Sequence, residues 1–125
     1  LGHVPYAVYV AVLQVSAVHV YFTYPFVLSW SMMEAMSTGC LVVGSDTAPV
    51  SEVVSDGFNG VLVNFFDSTK LSNAIINALQ SPSAFLEVRQ RARDTIVQKY
   101  DLESVCLPQH IALVESLAGD EAQPA

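Results

Sequence analysis

The sequence predicts an α/β fold: a parallel sheet flanked by helices, followed by a helical C-terminal section. Short apolar runs rich in β-branched and aromatic residues, AVHVYFT at 17–23, LVVG at 41–44 and VLV at 61–63, alternate with segments of helical period. Strands separated by helices pair in parallel, because a crossover helix is what joins parallel neighbours. The run LVVG contains no polar side chain, as a strand covered on both faces requires. Beyond Asp67 the period is helical throughout.

Each element has a local reason. Pro5 opens a helix over residues 6–15, with Val8, Ala11, Val12 and Val15 as its apolar stripe. The strand at 17–23 follows. Ser29 or Ser31 caps a second helix that runs to Ser37 and stops at Gly39, the C′ position. After the strand at 41–44 come a short helix over 50–54, a turn at Gly57-Phe58-Asn59-Gly60, and the strand at 61–63. Leu71, Ala74, Ile75, Ala78 and Leu79 form the stripe of the next helix. Ser81 and Pro82 read as N-cap and first residue of another, whose buried face is Phe85, Val88, Ala92, Ile96 and Tyr100. Asp101 caps a last helix, which Pro108 kinks or restarts. The expected organisation is one domain over residues 1–118 and a flexible tail over 119–125.

Composition narrows the function. At 125 residues the chain can build one core but not two. Its 52% hydrophobic and 14% charged residues predict surface covered by something outside the chain. The net charge is −7, and all five basic residues (Lys70, Arg89, Arg91, Arg93, Lys99) follow Thr69, which argues against nucleic acid as a partner. Residues 1–33 carry no charge and are long enough to span a bilayer. Pro5 and Pro25 break that run, Gln14, Ser16, His19, Thr23 and Ser29 interrupt it, and no Lys/Arg cluster flanks it, so no transmembrane segment is expected. Neither a basic leader nor an initiator Met precedes Leu1, and the chain reads as part of a longer protein. Cys40 and Cys106 form no CxxC and the three His have no metal-ligand spacing, so reduced thiols in a cytoplasmic setting, with no metal, are expected.

Open parallel sheets bind ligands beyond the carboxyl ends of their strands. Here residues 24–31 and 45–49 leave those ends, each leading into a helix whose first N–H groups attract phosphate. Glu34 lies about one turn inside the first of these helices, where a carboxylate can accept two hydrogen bonds from a vicinal diol such as ribose. No G-x-G-x-x-G and no G-x-x-x-x-G-K-[ST] occurs.

The runs GHVPYAVY, LQVSAVHVY and MMEAMSTGCLVVGSDTAPVSEVVSDGFNGVLV, with LSNAII and RARDTIVQKYD, carry a resemblance over nearly the whole chain. It resembles the C-terminal, nucleotide-sugar-binding domain of family-4-type retaining glycosyltransferases of GT-B fold (glycosyl transferases group 1). The resemblance implies a partial Rossmann-like sheet, the latter half of that domain. It implies transfer of a sugar from a nucleotide-diphosphate donor with retention of configuration. The nucleotide-sugar is then a substrate, and neither cofactor nor metal is needed. Residue by residue, Glu34 matches the glutamate that holds the donor ribose, the main chain of Trp30 and Ser31 the segment at the distal phosphate, and His3 and Val4 the loop beside the base. Phe26 stands where the family has a glutamate that contacts the donor sugar, so the sugar-binding arrangement is expected to differ. The basic residues that neutralise the diphosphate are expected upstream of Leu1. No catalytic residue is singled out.

Other residues have plainer readings. Glu34 itself can be a solvent-facing helix residue. Glu52 reads as structural, acting at the N-terminal turn of its helix, and Trp30, Met32, Met33 and Met36 as core. His19 reads as a hydrogen-bonded core histidine, and Arg89, Arg91 and Arg93 as a solvated face. The alternative function is a non-catalytic α/β fragment or interaction module that keeps the fold without donor chemistry. With its upstream neighbour gone, the strand at 17–23 is expected to pair with a second copy of the chain.

Overall fold

The computed structural model describes residues 2–24 and 27–120. In chain order these form α1 (Tyr6–Val15), β1 (Val18–Tyr21), α2 (Trp30–Ser37), β2 (Leu41–Ser45), α3 (Ala48–Ser51), β3 (Val61–Val63), α4 (Ser68–Gln80), α5 (Leu86–Tyr100) and α6 (Leu107–Asp120). A 3₁₀ turn, Pro82–Phe85, precedes α5, and a π-helical turn, Leu102–Cys106, joins α5 to α6. The strands form one parallel sheet in the order β1-β2-β3, with Val18 opposite Leu41 and Val43 opposite Val61. This is the predicted α/β architecture.

The central strand explains its own composition. All five residues of β2 are buried. Its neighbours divide the core into two layers. On one face Val42 packs with Met32, Ala35 and Met36 of α2, Leu13 of α1, Val50 of α3, and Ala92 and Ile96 of α5. On the other face Leu41 meets Ala78 of α4 and Val88 of α5, with Val18, Val61 and Phe85 beside them. Each fully buried aliphatic side chain contributes about 1.5–3 kcal/mol, so these layers hold the sheet. Where α3 crosses β2 the approach is close: a Cβ on Gly44 would lie 2.9 Å from Val50 Cγ1.

The predicted stop of α2 is a Schellman turn. Gly39 has φ of 76°, its N–H donates to the Met36 carbonyl and that of Cys40 to the Ala35 carbonyl, both at 3.0 Å. Asp101 caps the last helical section by accepting from the Ser104 amide at 2.8 Å. The hydroxyl and amide of Ser104 hold the Asp101 carboxyl below its ordinary pKa. Pro108 falls just after the π turn, so the chain restarts there.

Several expectations are corrected. In α1, Val8 and Val15 are exposed, and the buried face is Leu13 with Tyr9 packed against the core. A helix that is apolar almost all round gives periodicity no face to select. The short helix covers Ala48–Ser51 instead of 50–54, which puts Pro49 in its first turn and exposed Glu52 at its C-terminal end. Leu79 is exposed at the end of α4. Ser81 makes no side-chain cap bond, and a 3₁₀ turn stands where its helix was expected. Helix α6 includes Gly119 and Asp120, which were expected in the tail; Glu121–Ala125 of that tail lie outside the described residues. Among the described residues no helix is long and apolar enough to cross a membrane: the uncharged N-terminal run is spread over α1, β1 and the start of α2.

Candidate functional site

The loops at the carboxyl ends of β1 and β2 are stitched together by hydroxyl groups. Ser45 Oγ donates to the Thr23 carbonyl at 3.0 Å and accepts from the Thr23 amide at 3.2 Å. Thr47 Oγ1 donates to the same carbonyl at 3.4 Å. The Ser29 amide donates to the Tyr21 hydroxyl at 2.8 Å, fixing where α2 begins. These bonds use the polar groups of residues 45–49 within the protein. With only four residues and Pro49 in its first turn, α3 is no anion site, which corrects the expectation of two phosphate-binding helix ends. The longer α2 remains. Its N-cap Ser29 accepts from the Ser31 amide at 3.4 Å, a long bond that leaves this N–H open to a stronger acceptor.

Trp30, the first residue of α2, is 82% exposed, whereas Met32 and Met36 are fully buried. The reading of Trp30 as core is therefore wrong: its position leaves the side chain on the outer side of the first turn. Phe26 lies outside the described residues.

Glu34 is partly buried on α2 and faces α1. Hydrogen bonding to its carboxylate, and then its negative charge, push the Tyr6 phenol above its ordinary pKa. Burial raises that of Tyr9, with the charge of Glu34 and hydrogen bonding to it adding to the effect. The two rings lie 6.1 Å apart at 38°. Together with Gly2, His3 and Val4 they line an open depression of about 410 Å³. The structure thus places His3 and Val4 with Tyr6 and Tyr9 around one depression at the start of α1, while Glu34, on α2, is not among the residues lining it. Sequence reading missed both tyrosines; their i, i+3 spacing after Pro5 was the available signal.

The three arginines of α5, expected as a solvated face, turn back onto the fold, Arg89 and Arg91 half-buried and Arg93 exposed. Arg89 Nη2 donates to the Ala17 carbonyl at 2.5 Å, Arg91 Nε to the Phe58 carbonyl at 2.6 Å, and Arg93 to the Ser37 carbonyl. Arg91 also covers the Phe58 ring at 5.1 Å and pairs with Glu87 at 3.1 Å. Lys70 pairs with Asp67 at 3.7 Å. No basic side chain precedes Lys70 in the sequence, so at the start of α2 the groups that can attract an anion are backbone amides.

The D-G-x-N-G signature is also structural. Buried Asn59 accepts from the Ser55 amide at 2.7 Å and donates to the Val53 carbonyl at 3.0 Å and to Thr95 Oγ1 at 3.2 Å. Asp56 Oδ1 accepts from the Leu62 amide at 2.8 Å. His19 departs from expectation in the opposite sense: its Nε2 is buried with no partner among the described residues, and burial lowers its pKa. Cys40 is a buried free thiol, raised by burial, and Cys106 is free and half-buried.

A three-stranded parallel sheet with helices on both faces, bearing its candidate site at the end of α1 and α2, is the Rossmann-like core of a GT-B-type domain. Sucrose-phosphate synthase of Thermosynechococcus elongatus superposes with a TM-score of 0.78 at 24% identity, over 95% of this chain and 30% of that one. HepE of Anabaena, solved in complex with UDP-glucose, gives 0.75 at 24% identity over 84% and 29%. TarM gives 0.58 at 28% identity over 68% and 17%. Residues 3–96 match the sequence profile of glycosyl transferases group 1, and the chain belongs to that family. No curated protein matches it. The chain spans less than a third of the length of each of these solved structures.

Proposed function

We propose that this chain is the donor-binding part of a retaining glycosyltransferase that uses a nucleoside-diphosphate sugar. In this reading Glu34 accepts hydrogen bonds from the ribose hydroxyls, His3 and Val4 border the base, and the amides of Trp30 and Ser31 meet the distal phosphate. The observation that carries it is the match of residues 3–96 to glycosyl transferases group 1. A uridine nucleotide is the first donor to test, since HepE was solved with UDP-glucose. Phe26, in place of an acidic sugar contact, biases the choice of sugar. Among the described residues the three arginines of α5 all donate to carbonyls, so in this reading residues 1–118 by themselves bind donor without transferring sugar, and neither metal nor cofactor is needed. Strand β1, at the sheet edge, is open to pairing with a second copy.

The test is titration calorimetry of UDP and UDP-glucose with the full protein and its Glu34→Gln variant. Donor binding weakens by about 1.5–3 kcal/mol, the range for a hydrogen bond to a charged group. Equal affinity would favour the alternative, an α/β module without donor chemistry.

A further inference from the structure

We propose that Tyr24 and Phe66, backed by Phe22 and Phe65, form an aromatic platform that stacks on a pyranose ring of a neutral saccharide. The platform shares no residue with the proposed donor site, and only in calling that saccharide the acceptor does the proposal rest on the glycosyltransferase reading. Phe22 directly follows β1 and Phe65 stands two residues beyond β3, so rings from the two outer strands meet across the end of β2. They stack with centroids 5.8 Å apart and planes at 28°. Tyr24 meets Phe65 edge-on at 6.0 Å, and Phe66 does so at 5.1 Å. Phe22 and Phe65 are half-buried, whereas Tyr24 is 69% exposed and Phe66 82%. The cluster lies at the carboxyl end of the sheet, the end at which open parallel sheets bind ligands.

Turn chemistry sets this exposure apart from ordinary packing. The Asp67 amide donates to the Asn64 carbonyl at 3.0 Å, closing a turn whose two central residues are Phe65 and Phe66. Such positions ordinarily hold Gly, Pro, Asn, Asp or Ser. Phe66 breaks that rule and gains little burial in return, which is the mark of a residue kept for binding. The backbone that carries the exposed rings is fixed in advance. Asn64 Oδ1 accepts from the Phe66 amide at 3.0 Å, and Tyr24 follows Thr23, whose amide and carbonyl both bond Ser45 Oγ. A platform ordered before the ligand arrives loses little entropy on binding.

The class of ligand follows from charge and from the polar groups beside the rings. An aromatic face is the negative part of the ring quadrupole and attracts the weakly positive C–H groups on the apolar face of a pyranose. The hydroxyls around the sugar ring then need donors and acceptors at the platform's edge. Exposed Asn64, at one end of the turn, offers amide N–H donors, and the carboxylate of Asp67, at the other end, offers acceptor positions. A phosphate or carboxylate ligand would call for an unpaired cation instead. No basic residue precedes Lys70 in the sequence, and Lys70 pairs with Asp67 at 3.7 Å.

The experiment titrates the full protein with maltose, cellobiose, lactose and diacetylchitobiose, followed by NMR, and separately with UDP. At least one disaccharide binds. Tyr24→Ala and Phe66→Ala lower its affinity about tenfold, Phe66→Leu, which keeps the apolar bulk, about threefold, and Phe66→Tyr retains it. UDP affinity is the same in all four variants. Binding of none of the disaccharides would overturn the proposal, as would equal affinity in wild type and Phe66→Ala. Full affinity in Phe66→Leu would overturn it too, because bulk and not the aromatic face would then be what matters. Uptake onto phosphatidylcholine vesicles that Phe66→Ala abolishes, with no disaccharide bound, would overturn it in favour of a membrane surface. If UDP binds and no disaccharide does, only the platform falls. If a disaccharide binds as expected and UDP does not, the donor-binding reading falls and the platform stands.

Discussion

The first half of the chain and the second use charge in opposite ways. Up to Thr69 there are five acidic residues and no basic one; all five cations follow. In the first half the carboxylate singled out for the candidate site is Glu34, on α2. In the second half the three arginines of α5 turn back and donate to carbonyls of the first half, at Ala17, Ser37 and Phe58. The lesson is that clustered cationic side chains need not serve a ligand. Here they fasten α5 to the ends of β1, α2 and the loop before β3.

Substitution can break that comparison at three points. The largest effect is expected at Asn59, which joins the two halves through Thr95. Asn59→Ala strands the carbonyl of buried Val53 and leaves the Ser55 amide without its side-chain partner, a loss of about 2–4 kcal/mol read from urea denaturation. A loss below 1 kcal/mol would mean that water replaces the side chain. Next comes Arg89. Arg89→Ala removes a charge-assisted bond to the Ala17 carbonyl and lowers stability by about 1.5–3 kcal/mol. Arg91→Ala, at a more exposed site, costs less; an equal cost would contradict the distinction by burial.

The smallest effect is a pH dependence. Burial holds the folded-state pKa of His19 below the ordinary value, while the unfolded chain takes up a proton near pH 6.5. Protonation therefore favours the unfolded state, and stability present above pH 6.5 is lost as the pH falls below it. His19→Gln removes this part of the loss, seen as a smaller drop in Tm between pH 7.5 and 5.5 than in wild type. Parallel slopes for the two proteins would show that His19 titrates alike in both states.

What was legible in the sequence had a local cause. β2 announced itself by a run with no polar residue, α2 by Ser29 and Gly39, and the face of α5 by Val88, Ala92 and Ile96, all of which are buried. What was not legible depended on distant partners or on a pattern without contrast. The stripe of α1 could not be chosen within YAVYVAVLQV, where nine of ten residues are apolar or aromatic. Arg89, Arg91 and Arg93 share the spacing of a solvated helix, and only the fold brings carbonyls to them. At the candidate site, His3 and Val4 came from the family resemblance, and Glu34 both from its place one turn inside α2 and from that resemblance. Tyr6 and Tyr9 were legible as a pair by their spacing after Pro5, but that they line a depression with His3 and Val4 was not.

The bond from Arg89 to Ala17 spans 72 positions in the chain, and those from Arg93 and Arg91 span 56 and 33. Such contacts close long loops, so they form late, after the sheet has assembled and α5 has come to rest on it. Removing one should leave the folding rate almost unchanged and accelerate unfolding. The guanidinium groups thus act less as guides to the native topology than as latches that slow its escape.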